Sequence, residues 1–225
     1  MNDKELVAHH AARKIKDGMI VGLGTGSTAN CFIEALAQRH HQEGLQVRTV
    51  SSSVVSAIKA RELGLPLIAV EHLTGIDVYV DGADEVAPDM TLLKGRGFDL
   101  VREKLLANAS REFWVLIDAG KRVGHIGERY AIPVEVIPFA WQLVRESLAA
   151  IGGKAALRQT ANQDGLVVTA HGSLVLDTVF AEAFDCHKLD TVLNGIPGVV
   201  EHGIFSRLAS AVLCAKDGRV EEQIA

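Results

Sequence analysis

The sequence predicts an α/β protein, a parallel-sheet Rossmann-like main domain carrying an inserted ferredoxin-like α+β domain of βαββαβ order. Three observations predict it. Short β-branched runs alternate with helical patterns over the first half, as in parallel strands joined by crossover helices. Those runs are apolar without alternation, as strands covered on both faces are. Beyond residue 127 the order changes to strand, helix, strand, strand, helix, strand, which is the split unit.

In the first half "MIVGLG" (19–24) precedes helical "STANCFIEALAQRH", and "LQVRTV" (45–50) precedes "VVSAIKAREL". "PLIAV" and "IDVYVD" read as further strands, a helix follows residue 98, and "FWVLIDA" (113–119) is the next strand. The second set runs "YAIPVEVIPF", helical "AWQLVRESLAAIGG", "KAALRQT", "GLVVTAHGSLVLD", helical "TVFAEAFDCHKLDTVLN" and "GVVEHGIF". In its first helix Leu143, Val144, Ser147, Leu148 and Ile151 share a face, and Gly152 and Gly153 stop it. "LASAVLCAK" then returns as a last strand of the first domain. The expected division is residues 1–126 and 206–225 for the main domain, with 127–205 inserted.

Composition narrows the function classes. At 225 residues, 48% apolar and 23% charged, the chain has the balance of an ordinary globular protein. A net charge of −5 without a long basic run argues against nucleic acid as a partner. No apolar stretch reaches about 18 residues, so no membrane span is expected. The first residues lack the apolar core of a secretory signal. Cys31, Cys186 and Cys214 are distant and odd in number, which suits buried thiols in a reducing compartment. The expected location is the cytoplasm.

Ligands of open parallel sheets bind beyond the carboxyl ends of the strands, and three polar clusters fall there. "GLGTGST" (22–28) joins a strand to a helix: Gly22, Gly24 and Gly26 allow close backbone approach, and Thr25, Ser27 and Thr28 add hydroxyls at a helix N-terminus, which favours an anion. A dinucleotide fingerprint fails, because Ser27 stands where the third glycine belongs and the next strand ends in Ser51, Ser52 and Ser53 rather than in an acid. "YVDGADE" (79–85) delivers Asp81, Asp84 and Glu85, carboxylates suited to a divalent cation or to acid, base and hydroxyl work on a sugar. No histidine cluster or second carboxylate set points to a metal; His9–His10 and His40–His41 read as solvated pairs. "LLKGRGFDLVREK" places Lys94 beside Gly95, Arg96 and Gly97, with Glu103 on the following helix. A cation, a helix start and a carboxylate are the parts needed to take a proton α to a carbonyl. Alone, each cluster also fits a bland reading: a glycine turn, a solvated acidic turn, a charged helix face.

In order, "VGLGTGST", "SSS", "YVDGADE", "LLKG", "REK", "IPVEVIPFA" and "IPGVVEHGIF" cover nearly the whole chain and resemble ribose-5-phosphate isomerase of type A. The resemblance implies a two-domain aldose–ketose isomerase that interconverts ribose 5-phosphate and ribulose 5-phosphate without metal or other cofactor. It implies Glu103 as the base, Asp81 and Asp84 as handlers of the sugar hydroxyls, and Lys94 beside the developing oxyanion. It further implies Gly24, Thr25, Gly26, Ser27, Thr28 and Ser51–Ser53 around the phosphate, Lys4 and Lys121 at the rim, and a homodimer or homotetramer. The family usually has a run of glycines and alanines where this chain has Gly95-Arg96-Gly97-Phe98-Asp99. Gly120, "TAHGS" (169–173) and His202 also depart from the usual residues. Asp99, four residues before Glu103, is expected to hinder its ionisation if both lie on one helix. Three readings stay open: this isomerase, a paralogue acting on another sugar phosphate, and a sugar-phosphate-binding protein without catalysis.

Overall fold

The computed structural model describes residues 2–97, 99–181 and 184–225. Helix α1 (Asp3–Lys14) opens with a capping box in which Asn2 and Glu5 exchange side-chain-to-backbone bonds of 2.9 Å each. Strand β1 (Ile20–Leu23), helix α2 (Ser27–Gln42), strand β2 (Arg48–Ser51), helix α3 (Val54–Glu62) and strand β3 (Ile76–Asp81) follow. Two short strands, β4 (Glu85–Val86) and β5 (Leu92–Leu93), lead to helix α4 (Leu100–Ala109) and strand β6 (Ser110–Asp118). Next come β7 (Ile132–Val136), helix α5 (Trp141–Ala150), β8 (Gly153–Leu157), β9 (Leu174–Phe180), helix α6 (Cys186–Asn194) and β10 (Val199–His202). The chain closes with β11 (Ile204–Phe205), β12 (Ala211–Lys216) and β13 (Arg219–Ile224).

Residues form two compact units. The first is Met1–Ala83, Arg102–Lys121 and Leu208–Ala225. Its six-stranded sheet has the order β13-β12-β6-β3-β1-β2, parallel except where β13 runs back along β12. The strand interiors are buried because helices cover them: Val7, Ala11, Phe32, Ile33 and Leu36 pack with Val21, Leu23, Val78, Val80 and Leu116. Tyr79 is fully buried on β3 and stacks on Phe113 of β6, ring centroids 5.0 Å apart, with its hydroxyl donating to Asp81 Oδ2 at 2.5 Å.

The second unit is Asp84–Val101 with Arg122–Arg207. Its four-stranded antiparallel sheet, ordered β10-β7-β9-β8, has the ferredoxin-like arrangement, with Val134, Val136, Leu176, Val144, Leu148 and Leu193 in its core. A three-stranded sheet, β11-β5-β4, belongs to the same unit. That pairing explains why the unit is wider than the 127–205 read from sequence: β5 pairs with β11, more than a hundred residues later, which local pattern does not reveal. Glu85 anchors the segment. Its buried carboxylate accepts backbone N–H bonds from Gly127 (2.7 Å), Arg129 (2.6 Å) and Tyr130 (2.9 Å).

Several elements differ from the sequence expectation. "PLIAV" is not a strand; it makes one isolated bridge, Thr49 to Leu67, and then a short 3-10 turn. The long strand expected over 165–177 begins only at Leu174, and the helix expected from Thr178 begins at Cys186, with Glu182 and Ala183 outside the described residues. Strand β13, polar and mostly exposed, carries no apolar pattern to announce it. On α5 only Val144 and Leu148 of the expected face are buried; Leu143 is 74% and Ile151 39% exposed. Of the histidine pairs, His41 is exposed and His9, His10 and His40 are partly buried; His10 meets Glu222 at 2.6 Å, and His40 and His41 bond the carbonyls of Leu45 and Leu63.

Two outcomes follow from these buried groups. Burial first, then the charges of Asp81 and Glu103, hold the Tyr79 phenol well above its usual range. The unfolded phenol ionises near pH ~10 while the folded one keeps its proton, so stability falls as pH climbs past that point. Urea midpoints across that alkaline range decline less steeply in Tyr79→Phe than in the parent chain. Glu85→Ala strands three backbone donors and lowers unfolding free energy by about 3 kcal/mol, read by urea denaturation, with Glu85→Gln losing less.

Candidate active site

The first unit gathers a hydroxyl cluster, a buried acid pair and a helix start. Strand β1 ends at Leu23, and Gly24 to Gly26 turn the chain into α2. Gly24 is compelled by its neighbour, since a Cβ there would overlap the Asp81 carboxylate. Gly26, at φ 106°, takes a backbone conformation that favours glycine, and it starts α2 without a side-chain cap. The first N–H groups of a helix have no partner within it, so Gly26, Ser27 and Thr28 present donors to an anion. Lys4, on the first turn of α1, donates to Ser27 Oγ at 2.9 Å and brings a cation to the same turn.

The hydroxyls behind the turn are occupied with one another. Thr25 Oγ1 donates to Ser53 Oγ (2.7 Å) and lies 3.1 Å from Ser52 Oγ. Ser56 Oγ donates to the Gly24 carbonyl at 2.6 Å and lies 2.8 Å from Ser53 Oγ. Ser51 Oγ donates to the Ser53 carbonyl at 2.7 Å, and Ser53 caps α3 by accepting from Ser56 N. The serines at 51–53 thus brace the turn from beneath, with Ser52 and Ser53 fully buried. Ser56 was not singled out from sequence, although its place three residues after a helix-capping serine was a legible signal.

Asp81 ties the turn to the acids. Its Oδ1 accepts from Thr25 N (3.1 Å) and Gly82 N (2.7 Å), and its Oδ2 accepts from Tyr79. Glu103 is buried on α4, close enough for its charge to act on the Tyr79 phenol together with that of Asp81. The glycine turn and Asp81 are therefore joined through Thr25, and the charges of Asp81 and Glu103 both act on the Tyr79 phenol. The sequence reading missed Tyr79. Its position two residues before Asp81, on the same face of the strand, was the available clue. Lys121 lies in the short 3-10 turn that follows β6.

Asp84, Lys94, Gly95, Arg96 and Gly97 belong to the second unit. Asp84 N donates to the Leu93 carbonyl at 2.8 Å, and Lys94 N donates to the Gly203 carbonyl at 2.9 Å. The Lys94 ammonium lies 5.7 Å from the centre of the Phe205 ring. Gly95 adopts φ 91°, and a Cβ there would strike Leu100. Arg96 stacks on Tyr130, its guanidinium 4.0 Å from the ring centre, beside a cavity of about 630 Å³. Asp99 stands one residue before α4, not on it, so the regular helical spacing to Glu103 does not apply. Phe98 lies outside the described residues.

A sequence model of the family "Ribose 5-phosphate isomerase A (phosphoriboisomerase A)" matches residues 48–219. A ribose-5-phosphate isomerase A of Thermococcus kodakarensis is 42% identical over 211 residues, 93% of this chain and 92% of that protein. The one from Methanothermobacter thermautotrophicus is 42% identical over 214 residues, 95% of this chain and 93% of the relative. The solved ribose 5-phosphate isomerase A of Methanocaldococcus jannaschii superposes with a TM-score of 0.94 at 37% identity, covering 99% of this chain and 98% of the other. A D-ribose-5-phosphate isomerase solved in complex with phospho-erythronic acid gives a TM-score of 0.95 at 36% identity over the full length of both. The chain belongs to the ribose 5-phosphate isomerase A family.

Proposed function

We infer that this chain interconverts D-ribose 5-phosphate and D-ribulose 5-phosphate, as an aldose–ketose isomerase working through an enediolate. The observation that carries the reading is the bond of the anion-ready turn at Gly24–Thr28 to Asp81, whose charge acts on the Tyr79 phenol together with that of the buried Glu103. A related protein of the same fold takes phospho-erythronic acid, a phosphorylated sugar acid, which suits a site built for a phosphate and a second anionic group.

The chemistry follows from the parts. The N–H groups of Gly26, Ser27 and Thr28, with Lys4, hold the phosphate as a handle, and its binding energy positions a floppy pentose. Glu103 removes the C2 proton of the open-chain aldose. The released pair forms the C1–C2 double bond, and the carbonyl electrons move onto O1 as an enediolate. The same carboxyl then returns its proton to C1 while the O2 proton passes to O1, leaving the ketose with its C1 hydroxyl and C2 carbonyl. Lys94 as the cation for the enediolate, Asp81 and Asp84 as partners of the sugar hydroxyls, and Lys121 at the rim complete the assignment on the strength of the family resemblance. Arg96 lends no support to a paralogue with a reshaped pocket, because its guanidinium lies over Tyr130. A cytoplasmic homodimer or homotetramer belongs to the same reading and is checked by light scattering.

The purified chain is expected to convert ribose 5-phosphate to its ketose in a direct absorbance assay; silence there, with conversion of another aldose phosphate, would transfer the reading to the paralogue. Glu103→Gln lowers kcat by about 1,000-fold while inorganic phosphate still competes for the substrate site. A Cβ at Gly24 displaces Asp81. Gly24→Ala therefore lowers kcat/KM by about 100-fold through misplacement, whereas Gly97→Ala, where a Cβ meets open space, is tolerated.

A further inference from the structure

Arg158, at the end of β8, reaches the lysine loop from within the second unit. Its Nε and Nη2 form a fork onto the Asp177 carboxylate at 2.9 and 2.5 Å. Its Nη1 points at three consecutive loop carbonyls, Gly95 at 2.9 Å, Arg96 at 3.4 Å and Gly97 at 3.3 Å. A planar guanidinium suits such a double task, because one edge binds a carboxylate bidentately while the remaining N–H groups stay fixed in direction. The strand register sets the anchor, since Asp177 on β9 pairs with Ala156 of β8, two residues before Arg158.

Three carbonyls drawn to one guanidinium nitrogen leave the peptide planes of residues 95–97 little freedom to turn. The segment held in this way directly follows Lys94. Arg96 adds to the hold, its guanidinium lying 4.0 Å from the centre of the Tyr130 ring beside the cavity that Arg158 also lines.

We propose that Arg158, fixed by Asp177, is a positioning residue for the isomerase reaction: it gathers the carbonyls of residues 95–97 and so fixes the loop that carries Lys94, the cation assigned to the enediolate. The proposal rests on the isomerase reading for its kinetic consequence but not for the clasp itself. It touches the loop, not the sugar, so it acts on kcat more than on the grip of the phosphate.

The test compares the full chain with Arg158→Ala, Arg158→Lys and Asp177→Asn. Arg158→Ala is expected to lower kcat on ribose 5-phosphate by about 100-fold, the scale of a small misplacement, with KM within about threefold. Lysine, a single-point cation, restores little, whereas added methylguanidinium restores a saturable part of the lost kcat. In amide hydrogen exchange, residues 95–97 of Arg158→Ala exchange at least about tenfold faster while β7 and β9 stay protected. A kcat within twofold of the parent, or a loss that only tracks a falling melting temperature without methylguanidinium rescue, overturns the proposal. Should the parent chain be inert on ribose 5-phosphate, the isomerase reading falls and the exchange experiment alone decides: unchanged exchange at 95–97 refutes the clasp.

Discussion

The Asp81 carboxylate is the constraint on which the first unit's functional end depends. It sits fully buried at the end of a central strand, where a charge is costly unless each oxygen is satisfied. One oxygen takes the backbone N–H groups of Thr25 and Gly82, the other takes the Tyr79 hydroxyl. Each bond fixes something else. The bond to Thr25 sets the direction of the glycine turn, the closeness of approach excludes any side chain at Gly24, and the bond to Tyr79 depends on the ring stacking on Phe113. Acid and turn are thus held together by one set of bonds.

Proton accounting carries the same order into the hydroxyl cluster. A hydroxyl has a single proton to give. Ser56 spends its proton on the Gly24 carbonyl and Thr25 spends its own on Ser53, so the Ser53 proton is left for Ser56. Ser52 then serves Thr25 or the Tyr79 oxygen, both of which it meets. Thr25, Ser53 and Ser56 are therefore committed to one another and to the Gly24 carbonyl, and they brace the turn that leads into α2.

Much of this was legible in the sequence because it is local. Strand, glycine turn and hydroxylated helix start lie within a few residues of each other around Gly24, and Asp81 ends a run of apolar residues. The order of elements beyond residue 127 sufficed for the ferredoxin-like unit, since its apolar periods are short and regular. What escaped is long-range or polar. The pairing of β5 with β11 assigns residues 84–101 to the second unit, and nothing near Leu92 announces Ile204. β13 is an exposed edge with no apolar stripe, and "PLIAV" has a strand's composition but pairs only at Leu67. Tyr79 reads as one more core aromatic until its hydroxyl is seen to meet Asp81.

The arginine between two glycines is resolved by the same distinction between backbone and side chain. A glycine is needed where the main chain takes a positive φ, and Gly95 meets that need: φ is 91° and Leu100 leaves no space for a Cβ. Residue 96 carries no such demand. Its side chain lies on the Tyr130 ring, and Arg158 occupies the carbonyls of residues 95–97. Bulk at that position is therefore borne within the second unit, where Arg96, Tyr130 and Arg158 line one cavity.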